Sequence, residues 1–373
     1  MGYHRCPYKG GAVAFDAKWE DYQRIALRFA RSLQDMDPSA AAREFVSFGR
    51  RYAQDRDSLP QTDADRAFHL VSEAVTLVDY QLPFSTDEEA ETIIPRAHRL
   101  LEEALGLDPH CYDAARMSVA ATCPSFESYY DYLCETEPEV RAYCEEARNA
   151  ALLSGSDERA TEEAAIALHP HLRWLAALAS KALICGRNRE ALRFCEEAFR
   201  LDPADTADVR FTAALAHAKL EDEQGLDQLE ARCRKLPHPY GVDDAWMLLA
   251  RLSLAERRLN HPLARQILAH IAELYPNAAV TLARQKELPD GVFARLALPP
   301  FSEDELIVAT SEATVLTQEG RDSLGRGTLG TWLLQESLAI ASRAQLDEIR
   351  NEIDLGSVPF KNTDENDDAE WWR

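Results

Sequence analysis

The amino-acid sequence predicts an all-α fold in which helical hairpins are stacked in series. Glycine is sparse, with 15 among 373 residues, and long stretches are dominated by Ala, Leu, Glu and Arg, which favour helix. Apolar residues recur three and four positions apart along most of the chain, which is the spacing of one buried helix face. Strand signals are weak throughout, because runs of β-branched residues are short.

Local signals near the beginning of the chain place individual helices. Residues 17–35 carry apolar side chains at helical spacing, and Asp37-Pro38 predicts the cap and first turn of a second helix. Ser85 and Glu88 match the Ser-x-x-Glu capping box. In that box each side chain accepts a hydrogen bond from the other residue's backbone N–H, so a helix is expected to begin there.

Helical hairpins with a common ending recur along the chain. In residues 172–203 two helical runs meet at Gly186, and Leu201-Asp202-Pro203 ends the second run. Small residues let the two helices approach closely, glycine suits the tight turn, and proline stops the helix. Comparable endings lie at Leu107-Asp108-Pro109, Pro237 and Leu274-Tyr275-Pro276.

This pattern resembles the tetratricopeptide repeat (TPR). The residues that match the family pattern in the clearest unit are Leu178, Ala179, Gly186, Ala191, Ala198 and Pro203. The departures are Leu175 for the usual Trp, and Ala182 and Cys195 for aromatic residues; in the next unit Gly225 and Arg232 replace alanines. The resemblance is clear over 172–276 and weaker over 64–170. It implies an α-α superhelix of stacked hairpins that binds proteins or peptides.

Four regions follow from these signals. We expect an N-terminal helical region at 1–61, a TPR-like array at 62–287, a C-terminal helical cap at 288–361 and an acidic tail at 362–373. The tail reads NTDENDDAEWWR, a composition typical of disorder, although its two tryptophans could anchor it on the array or on a partner.

The resemblance also implies a binding groove lined by the first helix of each hairpin. Carried onto this sequence, its positions give the following candidate peptide-binding residues: Arg173, Ser180, Arg210, His217, Met247 and Arg251. Arginine forks pair well with carboxylates, so the predicted ligand is an acidic peptide or a C-terminus. The alternative is that these arginines are solvated and cover apolar surface with their stems. Ala176 and Ser180 stand at the Lys/Asn clamp positions of some family members, so that clamp is not expected.

Composition disfavours several classes of partner and location. The net charge is −23, from 64 acidic and 41 basic residues, and no long basic run is present, so nucleic acid is not an expected partner. No apolar stretch approaches the roughly 20 residues needed to cross a bilayer. The N-terminal residues lack the apolar run of a secretory signal, so we expect a cytoplasmic protein whose eight cysteines are free and mostly buried.

Two patterns look catalytic but have structural explanations. Residues 325–330 spell GxGxxG, yet the preceding segment 302–319 predicts a helix capped by Ser302 with Glu305, where a dinucleotide site needs a strand. We expect the motif to separate two helices; a phosphate bound at the start of the second helix is the alternative. Pro170, between His169 and His171, predicts a helix junction, and no HExxH or CxxC accompanies the pair to suggest a metal site.

The sequence therefore predicts a protein- or peptide-binding scaffold or adaptor that is not an enzyme and needs no metal or cofactor. One alternative is an enzyme in which the helical array is an accessory domain. The other is a regulatory subunit that self-associates. The oligomeric state and the identity of the partner remain open, because repeat arrays serve many functions.

Overall fold

The computed structural model describes residues 16–82, 85–236, 243–288, 298–320 and 326–352. Within these ranges the chain is helical and contains no strand, which confirms the predicted all-α class. The chain forms two compact units, Met1–Val242 with Leu288–Leu298 and Asp243–Glu287 with Pro299–Arg373. The boundary after Val242 falls inside the region predicted as one array. The acidic tail at 362–373 lies outside the described residues.

In its described part, the first unit contains ten α-helices. They are α1 (Ala17–Ser32), α2 (Pro38–Gln54), α3 (Asp63–Val75), α4 (Asp87–Leu107), α5 (Tyr112–Thr122), α6 (Phe126–Leu153), α7 (Glu158–Ile184), α8 (Asn188–Leu201), α9 (Val209–Lys219) and α10 (Glu223–Cys233). A 3₁₀ turn at Arg56–Ser58 follows α2, and a π-helical turn at Thr76–Gln81 continues α3.

Helices α3 to α10 pack as four consecutive hairpins: α3–α4, α5–α6, α7–α8 and α9–α10. The second helix of each hairpin contacts the first helix of the next hairpin. The first helices α3, α5, α7 and α9 also contact one another in sequence, and we call them the first-helix row. This order buries a continuous core between neighbouring hairpins. The facing residues predicted for α7 and α8 are buried as expected: Leu175, Leu178, Ala179, Ala182, Ala191, Cys195 and Ala198.

The second unit contains seven α-helices among its described residues. They are α11 (Ala245–Arg257), α12 (His261–Leu274), α13 (Ala278–Arg284), α14 (Glu303–Glu312), α15 (Thr314–Thr317), α16 (Thr328–Ile340) and α17 (Arg343–Glu352). Helices α11 and α12 form a fifth hairpin. Helices α14 and α16 pack on α11 and α13, and α17 packs on α13. One apolar cluster of this unit joins α13, α16 and α17 through Val280, Ala283, Leu334 and Ile349.

Helix ends follow the predicted caps in two cases and depart from them in a third. Asp37 caps α2 with Pro38 in its first turn, and Ser302 caps α14, as predicted. The capping box of α4, however, uses Thr86 and Glu89, one residue after the predicted Ser85 and Glu88. Both pairs fit the Ser/Thr-x-x-Glu pattern, so the pattern alone does not fix the register of the cap.

The predicted helix junction at Pro170 is wrong, because α7 continues through this residue. Prolines also lie inside α4 and α6, at Pro95 and Pro138. A proline removes one backbone hydrogen bond and crowds the preceding turn. Helix α7 buries side chains on both sides of Pro170, from Ile166 to Leu175, and this packing offsets the local cost.

The same tight turn closes three of the hairpins. Gly186, Glu221 and Leu259 each lie two residues before the second helix and have left-handed φ angles of 74°, 54° and 57°. In each turn the next residue donates its backbone N–H to the carbonyl five residues earlier, as in the pairs Arg187–Ala182, Asp222–His217 and Asn260–Ala255. Only glycine adopts this φ without steric cost, so only Gly186 could be recognised from sequence.

Leu259 and Gly186 occupy equivalent positions in two left-handed turns, and substitutions at them should change the stability of the fold in opposite directions. We expect Leu259→Gly to stabilise the fold by up to about 1 kcal/mol, because it removes the crowding of a left-handed Cβ. The Leu259 side chain is 75% exposed, so little apolar burial is lost. Gly186→Ala should destabilise by about 1 kcal/mol. Urea denaturation followed by circular dichroism measures both.

The control is Gly106→Ala in α4, where an added Cβ meets nothing within 4 Å and the glycine φ is not in the left-handed region. This change should stabilise by roughly 0.5–1 kcal/mol through helix propensity. If Gly186→Ala and Gly106→Ala shift the denaturation midpoint in the same direction, the turn geometry described for Gly186 is incorrect.

Candidate functional site

Helix α1 lies against the first-helix row. It packs on α3 and α7, and the Arg173 side chain of α7 connects it to α5. The residues of the row that meet α1 form, together with Asp113, which pairs with Arg173 from α5, what we call the docking surface: Asp65, Phe68, His69, Asp113, Glu162, Glu163, His169 and Arg173. This surface already holds one amphipathic helix, supplied by the chain itself.

A buried guanidinium lies at the centre of the docking surface. Arg173 donates from Nη1 to Glu20 Oε2 of α1 at 2.7 Å and from Nε to Asp113 Oδ1 of α5 at 2.7 Å. Its Nη2 also donates to Asp113, so that pair is bidentate. Since Glu20, Asp113 and Arg173 are all buried, the two carboxylates and the guanidinium depend on one another for charge compensation.

The environment of Glu20 favours its ionised form. Burial would raise the pKa of this carboxyl, but Arg173, His169 and Arg24 outweigh burial and hold the pKa well below its usual range. His169 Nδ1 lies 3.0 Å from Glu20 Oε2. Burial opposes the charge of Arg173, and Asp113 and Glu20 together raise its pKa. The ion pair therefore stays charged at neutral pH.

Asp21, the next residue of α1, gathers a second set of partners. Its carboxylate accepts hydrogen bonds from Tyr52 of α2 at 2.6 Å and from Arg56 of the 3₁₀ turn at 2.7 Å, and it lies 2.8 Å from His69 of α3. Burial would raise the pKa of Asp21, but hydrogen bonds from His69 and Tyr52 and the charge of Arg56 lower it. Asp21 thus connects α1, α2 and the docking surface.

Towards the C-terminal end of α1 the charged side chains that face the docking surface change from acidic to basic. The guanidinium of Arg24 lies 4.2 Å from the centre of the Phe68 ring, and Arg28 Nε lies 2.5 Å from Asp65 Oδ2. Arg31 then pairs with Glu163 of α7. The helix therefore presents carboxylates first and arginines afterwards, and the docking surface presents the complementary charges in the same order.

The structure places three of the six predicted groove residues inside the protein. Arg173 and Arg210 are buried, and Met247 is only 3% exposed. The Arg210 guanidinium lies 2.9 Å from Asp205 and 2.5 Å from Asp208. A buried guanidinium needs acceptors, and this acidic chain supplies them itself. In this conformation these side chains are therefore buried and do not line an open groove, whereas the sequence placed them on one.

The other three predicted groove residues are partly exposed: Ser180 on α7, His217 on α9 and Arg251 on α11. Helices α7 and α9 are neighbours in the first-helix row, so Arg173, Ser180, Arg210 and His217 belong to adjacent hairpins of one unit. Met247 and Arg251 belong to the second unit. The structure thus assigns the predicted set to two units.

His217 borders a cavity of about 110 Å³ between α8, α9 and α10, which is small beside the roughly 300–1,000 Å³ of common ligand pockets. Its Nδ1 lies 3.0 Å from Asp222 Oδ2. A Cβ on Gly225 would overlap the imidazole ring, so glycine replaces the alanine expected there. Arg232, the other departure from the repeat pattern, also lines the cavity and lies 3.1 Å from Glu196.

The described part of the GxGxxG motif has a packing role. The motif separates α15 from α16, as predicted: Arg326 and Gly327 precede α16, residues 328–330 form its first turn, and Gly325 lies outside the described residues. Gly327 donates its N–H to Thr317 O at 2.9 Å, and an added Cβ there would overlap the Glu319 backbone. A Cβ on Gly330 would lie 2.5 Å from Thr317 O. These glycines allow the start of α16 to approach the end of α15 closely.

Within the described residues, the cysteines and histidines that could indicate a catalytic or metal site have structural explanations. The seven described cysteines are free, as predicted, and burial raises the pKa of both Cys111 and Cys144 to about 12. His169 and His171 contact different carboxylates, on Glu20 and Glu137.

Over the described ranges, no group of three or more His, Cys, Asp or Glu side chains could hold a metal ion. In the same ranges no helix is long and apolar enough to cross a bilayer.

Glu305, in the first turn of α14 in the second unit, is a buried carboxyl whose pKa is raised. Burial raises its pKa to about 7. Its two oxygens are occupied, because Oε1 accepts from the Tyr275 hydroxyl at 2.9 Å and Oε2 accepts from the Phe301 N–H at 2.6 Å. Glu305 also donates its own N–H to Ser302 Oγ, so it forms part of the cap of α14. These contacts explain the residue as structural.

Comparison with known proteins yields no match to a family model, to a curated protein or to a solved structure. The candidate site is therefore assigned from the contacts of α1 with the first-helix row. Sequence reasoning missed this role of α1, although a signal is present. Glu20, Arg24, Arg28 and Arg31 recur three and four positions apart, which places a charged stripe along one face of the helix.

The ion triad predicts a large cost for removing its centre. Arg173→Met should lower the free energy of unfolding by about 3–5 kcal/mol, because it removes the guanidinium that the buried Glu20 and Asp113 share. Arg189→Met on the exposed side of α8 is the control and should change stability by less than about 0.5 kcal/mol. Urea denaturation measures both.

A variant that also carries Glu20→Gln and Asp113→Asn should recover part of this loss, since the two buried carboxylates that Arg173 compensated are then neutral. Equal stability of Arg173→Met and Arg189→Met would contradict the buried triad.

Glu305 predicts a pH dependence of opposite sign to that of an ion-paired acid. Its pKa rises from the usual 4.5 to about 7 on folding, so the folded chain keeps a proton that the unfolded chain releases. The free energy of unfolding should therefore fall as pH rises from 4.5 to about 7, by at most about 3 kcal/mol. Glu305→Gln should remove this part of the slope, measured by urea denaturation at several pH values. Asp304→Asn, an exposed neighbour, should leave the slope unchanged.

Proposed function

We propose that this chain is a protein-binding scaffold whose first-helix row receives a helical segment of a partner protein. The observation that carries the proposal is the docking of α1, because α3 and α7 already accommodate an amphipathic helix and Arg173 connects this contact to α5. The contacts pair opposite charges at several points along the helix. Such charge matching favours specificity and fast association in protein recognition.

The serial packing of the hairpins supports the same proposal. Each first helix contacts the first helix of the next hairpin, so the row forms a surface that extends over several repeats. Extended surfaces of this kind suit the binding of chain segments. The sequence resemblance to TPR proteins points the same way, since it implies a groove on this side of the array.

The row continues beyond the part that α1 covers. On α7, Ala176 and Ser180 follow Arg173 at helical spacing on the same face and are partly exposed. A partner segment that contacts this stretch need not enter the buried ion triad. Ser180 is therefore the predicted groove residue best placed for mutational tests, whereas charge reversal at Arg173 or Arg210 would disrupt the fold.

The proposal is tested by capture of a partner with the full chain and two matched variants. Ser180→Arg places a long charged side chain on the first-helix row, and Ala150→Arg places one on the exposed side of α6, a second helix. A specific partner should bind the wild type and Ala150→Arg, with binding to Ser180→Arg reduced about tenfold or more. Circular dichroism confirms that both variants are folded.

Chemical cross-linking of the captured complex gives an independent readout. Cross-links to the partner should concentrate on α5 and α7 and not on α6 and α8. Equal capture by all three proteins would contradict binding on the first-helix row, and failure of the wild type to capture any specific partner would contradict the scaffold role.

A further inference from the structure

Helices α1 and α2 form a small structure with its own apolar core. Ile25 and Phe29 of α1 pack with Phe48 of α2 and with Leu59, and all four are buried. Stacked or edge-on ring contacts extend this cluster through Tyr22, Tyr52 and Phe45. The apolar residues Ile25 and Phe29 of α1 are therefore covered by α2 and the following turn. We call α1, α2 and this turn together the N-terminal hairpin, residues 16–60.

The opposite face of α1 meets the docking surface through charged and polar side chains. Glu20 binds Arg173 and His169, Asp21 binds His69, Arg28 binds Asp65 and Arg31 binds Glu163, while Gln23 donates to Glu162 at 3.2 Å. Two of these arginines are partly solvated, since the side chains of Arg28 and Arg31 are 40% and 50% exposed. Polar interfaces of this kind are typical of elements that associate and separate.

The apolar and the charged contacts of α1 lie on different faces, and this determines which contacts are lost when the N-terminal hairpin leaves the array. When the N-terminal hairpin separates from the array, its apolar cluster can remain intact. Apart from Phe68, which loses its contact with Arg24, the groups known to lose partners are polar or charged, above all Arg173, which loses Glu20 and keeps Asp113. A competing ligand must therefore supply carboxylates to Arg173 and His69 and cations to Asp65 and Glu163.

We infer that α1 is a cis-acting ligand that closes the docking surface, and that the partner which displaces it is an amphipathic helix with the same charge order. Such a helix carries two adjacent acidic residues, as in Glu20-Asp21, followed by basic residues four, eight and eleven positions after the first acid, as in Arg24, Arg28 and Arg31. The inference rests on the proposed function, and it names the ligand class of that surface and the element that regulates access to it.

The first experiment tests whether the N-terminal hairpin can exchange. A site-specific protease sequence is inserted after the exposed Pro60 of the full chain, and the purified protein is cleaved there. A fluorescent synthetic segment of residues 16–60 is then added, and its incorporation is followed by anisotropy and gel filtration. We expect the labelled segment to replace the original hairpin while circular dichroism shows that the array remains helical.

The matched control is the same segment with Glu20→Gln and Asp21→Asn, which keeps the shape but removes both charges. We expect its affinity to fall about tenfold or more, because neutral amides pair weakly with Arg173. Equal incorporation of the two segments would overturn the assigned ligand chemistry. Failure of the hairpin to exchange, or loss of array structure when it leaves, would show that α1 belongs to the permanent core.

A second measurement uses the intact chain without an insertion. The tethered α1 competes with added segment at high effective concentration, so binding to the wild type should be weak. Arg28→Ala with Arg31→Ala removes two partly exposed cis contacts and should raise the apparent affinity for the segment severalfold. Arg43→Ala, on the exposed side of α2, should have no effect. Equal affinity in all three proteins would overturn the cis-ligand role.

The two proposals fail in distinguishable ways. If a partner is captured through Ser180 but the N-terminal hairpin does not exchange, the scaffold function stands and the regulatory role of α1 is rejected. If the hairpin exchanges with the expected charge dependence but no partner binds the first-helix row, the cis-ligand device stands and the proposed scaffold function is rejected.

Discussion

A guanidinium buried among helices must be surrounded by acceptors, and Arg173 meets this requirement with carboxylates from two other helices. Glu20 of α1 and Asp113 of α5 approach it from different parts of the chain, and Glu20 is 153 residues away in sequence. This pairing fixes the position of α1 on the first-helix row. The arrangement of α2, which packs on α1, and the access to the docking surface both depend on it.

The hairpin turns provide the second constraint on the molecule. The same left-handed turn recurs at Gly186, Glu221 and Leu259, so the chain reverses in the same way in three hairpins. In the first unit this turn closes α7–α8 and α9–α10, and the first helices α3, α5, α7 and α9 contact one another in sequence to form the row. A surface made by many helices, none of which forms it alone, is suited to binding an extended segment.

Helix α1 is amphipathic, and its two faces contact different parts of the first unit. One face is apolar and packs with α2, and the other is charged and pairs with the row. The charged face explains why an acidic protein retains buried arginine, since the acids that match Arg173 come from the chain itself. The same face defines the chemistry that a competing helix must bring.

The sequence by itself determined the helical class, the hairpin around Gly186, the caps at Asp37 and Ser302 and the helix-separating role of the GxGxxG segment. These features depend on residues within a few positions of one another, where spacing and backbone preference decide the outcome. The register of the α4 cap and the passage of α7 through Pro170 escaped prediction because packing against other helices chose between locally similar options.

Only the tertiary structure decided which charges meet. The sequence identified Arg173 and Arg210 as candidate site residues but placed them on an open groove, whereas both are buried against the chain's own acids. A long-range ion pair leaves no local pattern, because any of 64 acidic residues could have provided the partner. The folded path of the backbone selected Glu20 and Asp113, and with them the docking of α1 on the first-helix row.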